Sequence, residues 1–312
     1  MEGAICVMSA ASNHRIIVLL FVFLPIIGFL TAVTLAWVLG GVSALDLAIC
    51  AGMYLLTAIG ITAGFHRFFV HRSFQTSNFC KLILGALGSM AGQGPLFYWA
   101  SSHRIHHQHS DSVDDPHSPT ANGGGVRGTI KGFWHAHVGW MFKRLPASWM
   151  KVIPDLVRDR TCYRVNKFYL GWVLIGFALP VAIRSAISFS WWGIVLAILW
   201  GGLARMFLVH HVTWSVNSIC HLFGRRTYDT DDGSRNNFLF GILALGEGWH
   251  NNHHASPSSA RHGFRPWEID ATFYLLKLFE WLGVVWHLKG PAPSVSRFDA
   301  ETGRANGNSL GA

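Results

Sequence analysis

The chain has 312 residues, of which 51% are hydrophobic and only 13% are charged, and its mean hydropathy is +0.31. Soluble domains carry about 25% charged residues, so this composition argues against a soluble globular protein. Aromatic residues at 13% argue against a disordered chain, and five cysteines are too few for a scaffold held by disulfides. These exclusions leave an integral membrane protein with a net charge of +9.

Four apolar stretches predict membrane-spanning helices, which need about 20 residues each. The first two, residues 16–38 and 43–65, contain Asp46 as their only charged residue. The other two, residues 168–183 and 185–204, are separated by Arg184, which we place in a short turn where its side chain reaches the headgroups. We therefore expect two helical hairpins.

The stretch 82–102 is also uncharged, but it contains residues that interrupt helices. Gly92, Gln93, Gly94 and Pro95 follow one another in its centre. They favour a broken element that is re-entrant or lies in the membrane plane, because irregular backbone at membrane depth must be covered by protein. We therefore do not count this stretch as a span.

The basic residues fall almost entirely on one side of this topology. Of 25 lysines and arginines, one precedes the first span, 13 lie between residues 67 and 167, and nine lie between residues 225 and 304. The positive-inside rule then places both termini and the segments 66–167 and 205–290 in the cytoplasm. A basic surface there suits acidic partners such as lipid headgroups or an electron-transfer protein, and we find no nucleic-acid-binding motif.

The sequence thus predicts an all-α fold. Four transmembrane helices in two hairpins support a helical cytoplasmic cap. Residues 1–290 form a single membrane domain, and residues 291–312 form a mobile tail rich in Gly, Ser and Asn.

The chain has 18 histidines, and half of them lie in four short clusters on the predicted cytoplasmic side. The clusters are HRFFVH (His66, His71), HRIHH (His103, His106, His107), NSICH (Asn217, His221) and HNNHH (His250, His253, His254). In a helix, offsets of three and four share one stripe, so we expect each His-x-x-His-His triplet to face one point. His66 and His71, five residues apart, diverge in an α-helix, which favours two different metal ions or an unwound helix end.

Nine imidazoles exceed the four ligands of a tetrahedral zinc ion and fit two ions of four or five ligands each. Neutral imidazole binds iron, zinc, copper and nickel, so the ligand type does not identify the metal. Seven other histidines are interpreted as structural, interfacial or surface residues: His14, His135, His137, His210, His211, His262 and His287.

Four strings resemble a known family: GFHRFFVHRSF, HRIHHQHSDSVDDPHS, NSICHLFGRRTYDTDDGSRNN and GEGWHNNHHASPSSARHG. The order and spacing of these strings, over about residues 50–270, resemble those of the integral-membrane fatty-acid desaturases. The resemblance is specifically to the Δ9 or stearoyl-CoA-desaturase-like branch. The resemblance implies two iron ions (Fe²⁺/Fe³⁺) bound by His66, His71, His103, His106, His107, His221, His250, His253 and His254, with Asn217 binding through a water. It also implies that the bend of an acyl tunnel is lined by Gln93, Trp99, Thr213 and Trp214.

One pair of residues departs from the acyl-CoA branch of that family. Before the second histidine cluster that branch has Arg-Asp, whereas this chain has Ser101 and Ser102. Those charges help to hold the CoA nucleotide, so acyl-lipid and acyl-carrier-protein substrates stay open beside acyl-CoA. Another group of cations either binds phosphate or only follows the positive-inside rule: Arg127, Lys131, Lys143 and Arg144.

These features predict an O2-dependent desaturase that introduces a cis double bond, at Δ9, into a saturated acyl chain. An unactivated methylene is not acidic enough for a side-chain base, so the oxidising power must come from metals and O2. We find no HPGG or CxxC motif, so two electrons must come from a separate donor of the ferredoxin or cytochrome b5 type. A related diiron hydroxylase or ketolase remains an alternative. A non-enzymatic metal transporter or sensor fits less well, because residues 16–65 contain no histidine.

Overall fold

The structure is a computed structural model that describes residues 2–120, 123, 125–143, 145–146, 148–293 and 295, with side chains from His14 onward. Arg144 and most of the predicted tail lie outside these residues. The described chain is mostly helical, as predicted. Its one small sheet pairs β1 (Gln75–Thr76) antiparallel with β2 (Val285–Trp286).

The α-helices and two π-helical segments follow one another in this order: α1 (Glu2–Val38), α2 (Ala44–Ile59), π1 (Gly60–Val70), α3 (Asn78–Met90), α4 (Leu96–His109), α5 (Gly125–His137), α6 (Pro154–Arg158), α7 (Arg160–Lys167), α8 (Tyr169–Ile187), α9 (Trp191–Leu196), π2 (Ala197–Ala204), α10 (Arg205–Ser218), α11 (Phe238–Leu243), α12 (His250–Ala255) and α13 (Ala271–Trp281). Four helical runs are long and apolar enough to cross a membrane: His14–Val38, Ala44–Val70, Tyr169–Ile187 and Trp191–His221. The number of spans agrees with the prediction.

The turn before the fourth span lies later in the chain than predicted. Arg184 is not in this turn but inside α8, which continues to Ile187, and α9 begins at Trp191. The helix tolerates this charge because Arg184 Nε donates a hydrogen bond to Asp46 Oδ1 at 3.2 Å. Asp46 is buried in the first turn of α2, so the ion pair joins the start of the second span to the end of the third.

The fourth candidate span is longer than a bilayer requires. Its 31 residues extend about 46 Å at 1.5 Å per residue, against a hydrocarbon core of about 30 Å. The helix therefore continues well past the predicted end at residue 204. Its final part carries Asn217 and His221.

The segment 82–102 is broken, as predicted. α3 ends at Met90 and α4 begins at Leu96. Between them Gly92 and Gly94 have φ values of +75° and +106°, in the left-handed region that favours glycine. A Cβ at Gly92 would also lie 2.8 Å from Cε of Met206. The break therefore packs directly against α10.

A close contact between backbones joins π1 to α3. A Cβ at Gly60 would overlap the backbone nitrogen of Gly88, and a Cβ at Gly88 would overlap the ring of Phe65. Small residues permit such an approach between helices in membranes. The contact fixes the first histidine-bearing segment against the broken one.

Candidate metal centre

The nine clustered histidines form two groups. In each group, one ring nitrogen from every member lies within 4.8 Å of the others. The first group is His66, His71, His103, His107 and His253, and the second is His106, His221, His250 and His254. The groups adjoin where the rings of His107 and His254 stack with centroids 4.7 Å apart. Two neighbouring ions with five and four nitrogen ligands would need this arrangement.

His66 and His71 belong to the same group, so the hypothesis that they serve different ions is wrong. The backbone between them is the π-helix π1, and the His71 N–H donates to the His66 carbonyl at 3.1 Å. Hydrogen bonding between residues five apart widens the turn, so both side chains return to the same side. Their ring centroids are 4.7 Å apart. The predicted divergence applies only to an α-helix.

The two His-x-x-His-His triplets each divide between the groups, which corrects the expectation that a triplet faces one point. Residues four apart share one side of an α-helix, whereas consecutive residues differ by about 100°. The pairs four residues apart therefore stay together, while the remaining histidine turns to the other group. α4 gives His103 and His107 to the first group and His106 to the second, and α12 gives His250 and His254 to the second and His253 to the first.

Four carboxylates lie against histidine Nδ1 atoms: three accept a hydrogen bond at 2.6–2.9 Å, and the fourth, Glu247, has Oε2 2.5 Å from His66 Nδ1. The pairs are His66 with Glu247, His106 with Asp115, His221 with Asp111, and His254 with Asp232. When Nδ1–H donates to a carboxylate, the Nε2 lone pair is left free for a metal. Sequence reasoning missed these acids. The available signal was their closeness to histidine clusters in a chain with only 16 acidic residues.

The Nε2 atoms in each group converge. Nε2 of His253 lies 3.1 Å from that of His66 and 3.0 Å from that of His107. In the second group, Nε2 of His250 lies 3.0 and 3.1 Å from those of His221 and His254. Two nitrogens bound to one ion at about 2.1 Å and at right angles are separated by about 3.0 Å. The donor type and spacing therefore fit a metal ion in each group.

The protonation of the rings supports the same fit. Burial lowers the pKa of His103, His107 and His253 well below the usual value, and the neighbouring rings lower it further. These three rings are therefore neutral at pH 7 and have lone pairs to donate. Within the described residues, Nε2 of His71 and of His106 is buried without a hydrogen-bond partner. Such an atom needs an explanation, and metal binding provides one.

A buried ion network lies behind the first group. Arg67 is fully buried and donates to Glu247 Oε1 and to Asp270 Oδ2, both at 3.1 Å. Burial by itself would raise the pKa of Glu247, but the neighbouring histidine rings and Arg67 hold it well below the usual range. Glu247 therefore stays ionised and orients His66. The network joins the first histidine-bearing segment to the last one.

A cavity adjoins both groups and reaches the residues that the resemblance assigns to substrate. His66, His103 and His250 line it together with Asn217. The four proposed tunnel residues also line it: Gln93, Trp99, Thr213 and Trp214. The structure thus brings together side chains that lie more than 100 residues apart in the sequence.

Hydrogen bonds connect three of these tunnel residues. The Trp99 indole N–H donates to Gln93 Oε1 at 3.2 Å, and Gln93 Nε2 donates to Thr213 Oγ1 at 2.9 Å. Gln93 belongs to the break between α3 and α4, so this chain of bonds ties the break to α4 on one side and to α10 on the other. The half-buried amide of Gln93 thus has hydrogen-bond partners for both its oxygen and its nitrogen.

The cavity follows one face of the second span. Its lining includes Tyr54, Ala58, Thr62 and His66, which are spaced by four residues and so share one side of the helix. Twelve residues at 1.5 Å each give about 18 Å from His66 to Tyr54. At that end the Tyr54 hydroxyl donates to the Leu243 carbonyl at 2.6 Å. The lining thus extends along several turns of the second span.

A second cavity, mostly apolar, shares part of its lining with the first one. The two share Gln93, Met141 and Trp214, and the second extends to His14 and Phe21 on α1. Gln93 and Trp214 therefore lie at the junction of the two cavities. An acyl chain that extended from one cavity into the other would pass Gln93 and Trp214.

The two serines that depart from the acyl-CoA branch lie inside the protein. Ser101 is 0% and Ser102 4% exposed, and Ser102 lines the first cavity. A bulky nucleotide cannot contact them there. Arg127, Lys131 and Lys143 are exposed, which leaves them accessible to phosphate.

Other histidines mostly have structural partners. His210 Nε2 lies 2.8 Å from the Ala91 carbonyl, and His137 lies 3.0 Å from both Ser218 and His211. His262 is more central than the sequence indicated, because it is buried beside the first group with Nδ1 3.2 Å from Glu247.

Comparison with known proteins identifies this architecture. The family model named fatty acid desaturase matches residues 44–281. The chain belongs to the fatty acid desaturase family. This desaturase is 42% identical, over 88% of its length and 85% of the relative's, to the hex-5-enoyl-[acyl-carrier protein] acetylenase of Moorena producens (strain JHB).

Two further relatives of this desaturase carry other substrate names. It is 39% identical to the sn-1 stearoyl-lipid 9-desaturase of Anabaena variabilis, over 76% of this chain and 81% of that protein. It is 36% identical to the acyl-CoA C20 Delta5-desaturase of Anemone leveillei, over 78% of this chain and 74% of that protein. The chain is therefore an oxidoreductase that desaturates fatty acyl chains.

Proposed function

We propose that this desaturase uses O2 and two iron ions to introduce a cis double bond at Δ9 of a saturated acyl chain. The observation that carries this proposal is the long apolar cavity that passes the two groups of convergent histidine nitrogens. The name of the Anabaena relative, a stearoyl-lipid 9-desaturase, supports the position of the double bond.

One iron ion would be held by each histidine group. The first would bind His66, His71, His103, His107 and His253, and the second would bind His106, His221, His250 and His254. Asn217 lines the cavity beside His250 and would hold the second ion through a water. When bound, the metals supply, with O2, the oxidising chemistry that removes hydrogen from an unactivated methylene.

The chain's own residues perform the positioning. Apolar side chains along α2 and α10 exclude water from the acyl chain, while the bonded series Trp99, Gln93 and Thr213 forms a fixed wall where the two cavities meet. Reactive geometry must be held to within about an ångström for efficient reaction. The wall therefore decides which carbons face the histidine groups.

The relatives differ in the carrier of the acyl chain. Their names include acyl-carrier-protein, lipid and acyl-CoA substrates. The burial of Ser101 and Ser102 removes them from any headgroup contact, and the second cavity is bordered by the membrane helix α1. These features favour an acyl-lipid or acyl-carrier-protein substrate over acyl-CoA.

The distribution of basic residues supports an orientation of the protein in the membrane and a side from which electrons arrive. Positive-inside asymmetry favours a cytoplasmic location for both termini and for the histidine groups. A separate ferredoxin or cytochrome b5 type protein would deliver two electrons there, attracted by the basic cap.

A second candidate reaction acts at the same site. The relationship to an acetylenase favours removal of two hydrogens from an existing double bond, which gives a triple bond. Hydroxylation or ketone formation is the further alternative, with oxygen retained in the product.

Expression in a desaturase-deficient host, followed by mass spectrometry of the acyl chains with localisation of double bonds, tests the proposal. We expect new cis-Δ9 monoenes that disappear in His107→Ala, together with a loss of bound iron. His135 belongs to neither histidine group, so His135→Ala is the matched control and should retain the product. Triple bonds or hydroxylated chains would replace the proposal with an alternative, and unchanged lipids in cells with an iron-loaded enzyme and a reductant would contradict it.

A further inference from the structure

Two polar side chains of α10 hold the backbone where α3 ends. Arg205 Nη1 donates to the Met90 carbonyl at 2.7 Å. His210 Nε2 donates to the next carbonyl, that of Ala91, at 2.8 Å. Both side chains are buried, with 0% and 1% exposure. Two consecutive peptide groups at the start of the break are therefore fixed to one helix.

The following two residues also contact α10. The space beside Gly92 is filled by Met206, since a Cβ there would lie 2.8 Å from its Cε. Gln93 Nε2 donates to Thr213 Oγ1 at 2.9 Å and lies 3.4 Å from the Val209 carbonyl. Four successive residues, from the last residue of α3 to Gln93, are thus placed by one helix, and the last of them lines the acyl cavity.

Arg205 is a costly residue at its position. It lies in the fourth candidate span, where a buried charge is rare and usually functional. In the described part of the chain, its hydrogen bonds go to the carbonyls of Met90, Gly176 and Gly201 at 2.7–3.1 Å. Arg184, by contrast, is paired with Asp46. An apolar side chain would be sufficient if this position only packed against other helices. The hydrogen bonds that Arg205 donates therefore indicate that these carbonyls have to be held in fixed positions.

We propose that Arg205 and His210 are positioning residues that determine where the double bond forms. They hold the carbonyls of Met90 and Ala91, which sets the backbone at Gly92 and the location of Gln93 at the junction of the two cavities. The inference rests on the proposed desaturase function, in which the bend selects the carbons that react. A displacement of about 1 Å at the reacting atoms lowers a rate by about 10²-fold, so a small shift of Gln93 changes which carbon reacts fastest.

The test compares donor-removing with donor-keeping variants. Arg205→Met and His210→Phe remove the hydrogen bonds with little change in volume, and Arg205→Lys and His210→Gln keep a donor. Arg184→Gln is the matched control, because it also removes an arginine from a membrane helix but away from the cavity. For each variant, the double-bond position in the lipids and the iron content of the purified protein are measured.

We expect Arg205→Met and His210→Phe to keep their iron while part of the double bonds moves by about one carbon and the rate at the original carbon falls about 10-fold or more. Arg205→Lys and His210→Gln should restore the original position in part, and Arg184→Gln should leave it unchanged.

A single unchanged double-bond position in the donor-removing variants, at any residual rate, would overturn the inference. If Arg205→Met does not accumulate, His210→Phe decides the question, because it leaves the Arg205 cation and its three carbonyl bonds in place. Absence of unsaturated product from the unmodified enzyme would instead contradict the proposed function, which keeps the two failures distinguishable.

Discussion

At the scale of single residues, the acids behind the histidines determine how the rings are presented. Asp232 accepts a hydrogen bond from His254 Nδ1 at 2.6 Å, and its other oxygen accepts from Thr230 Oγ1 and the Ser234 N–H at 3.0 and 2.9 Å. Burial alone would raise the pKa of Asp232, but the bond to His254 lowers it below the usual range. The carboxylate is therefore charged and fixed on both sides.

Replacement of this carboxylate should weaken metal binding without disturbing the fold. We expect Asp232→Asn to reduce iron affinity by about 10- to 100-fold, because an amide retains an acceptor oxygen but loses the charge that strengthens the ring as a donor. Competition between the purified protein and an iron chelator measures the affinity. Asp231→Asn, at the exposed neighbouring position, should have no effect. Equal affinity in both variants would contradict the role assigned to Asp232.

The histidines could be predicted from the sequence, whereas the pairing of each acid with a particular ring could not. Repeated His-x-x-His-His spacing is local information, whereas the partner of His221 is Asp111, 110 residues earlier. Gln93, Trp99, Thr213 and Trp214 were assigned only through the family resemblance. Their meeting in one cavity depends on the break between α3 and α4, which brings Gln93 to α10.

At the scale of elements, the crossing of π1 and α3 is a close approach between backbones beside the first histidine group. Gly60 and Gly88 face each other there without room for a side chain. Because π1 carries His66 and α3 leads into the break, a displacement at this crossing would move both the first histidine group and Gln93. The crossing therefore links the stability of the fold to the geometry of the site.

Two alanine substitutions in the second span test this crossing. Gly60→Ala should destabilise the protein by about 1–3 kcal/mol, because the added methyl group overlaps α3. Gly52→Ala, eight residues earlier with open space around it, should be neutral or stabilise by up to about 1 kcal/mol through helix propensity. Thermal unfolding in detergent compares them. An equal unfolding midpoint for the two variants would show that the helices separate easily at Gly60.

Element boundaries were predicted less well than element number. Four spans follow directly from apolar length. The turn placed at Arg184 was wrong because its partner, Asp46, is 138 residues away, and a charge that finds such a partner can remain inside a helix. A departure from α-helical winding at His66 and His71 was only one of two predicted alternatives, and its π form was not predicted.

At the scale of the whole molecule, the distribution of charge predicts the orientation in the membrane. Apart from Arg184, all lysines and arginines lie in the predicted cytoplasmic segments or termini. In a chain whose native cysteines are replaced, we expect Ser188→Cys to react with a membrane-impermeant thiol reagent in intact cells. Val126→Cys, at an exposed position of α5, should react only after permeabilisation. The reverse pattern would mean that the protein is inserted the other way.

The π1 turn has a consequence for changes in chain length. In α4 and α12, rings of one group are four residues apart, whereas His66 and His71 are five apart. The longer spacing and the wider winding therefore belong together, and a chain that lacked one residue here would need an ordinary α-turn to present the same two rings. Deleting one residue between them leaves an α-helix available, but inserting one leaves neither the α nor the π winding available, since neither aligns side chains six residues apart.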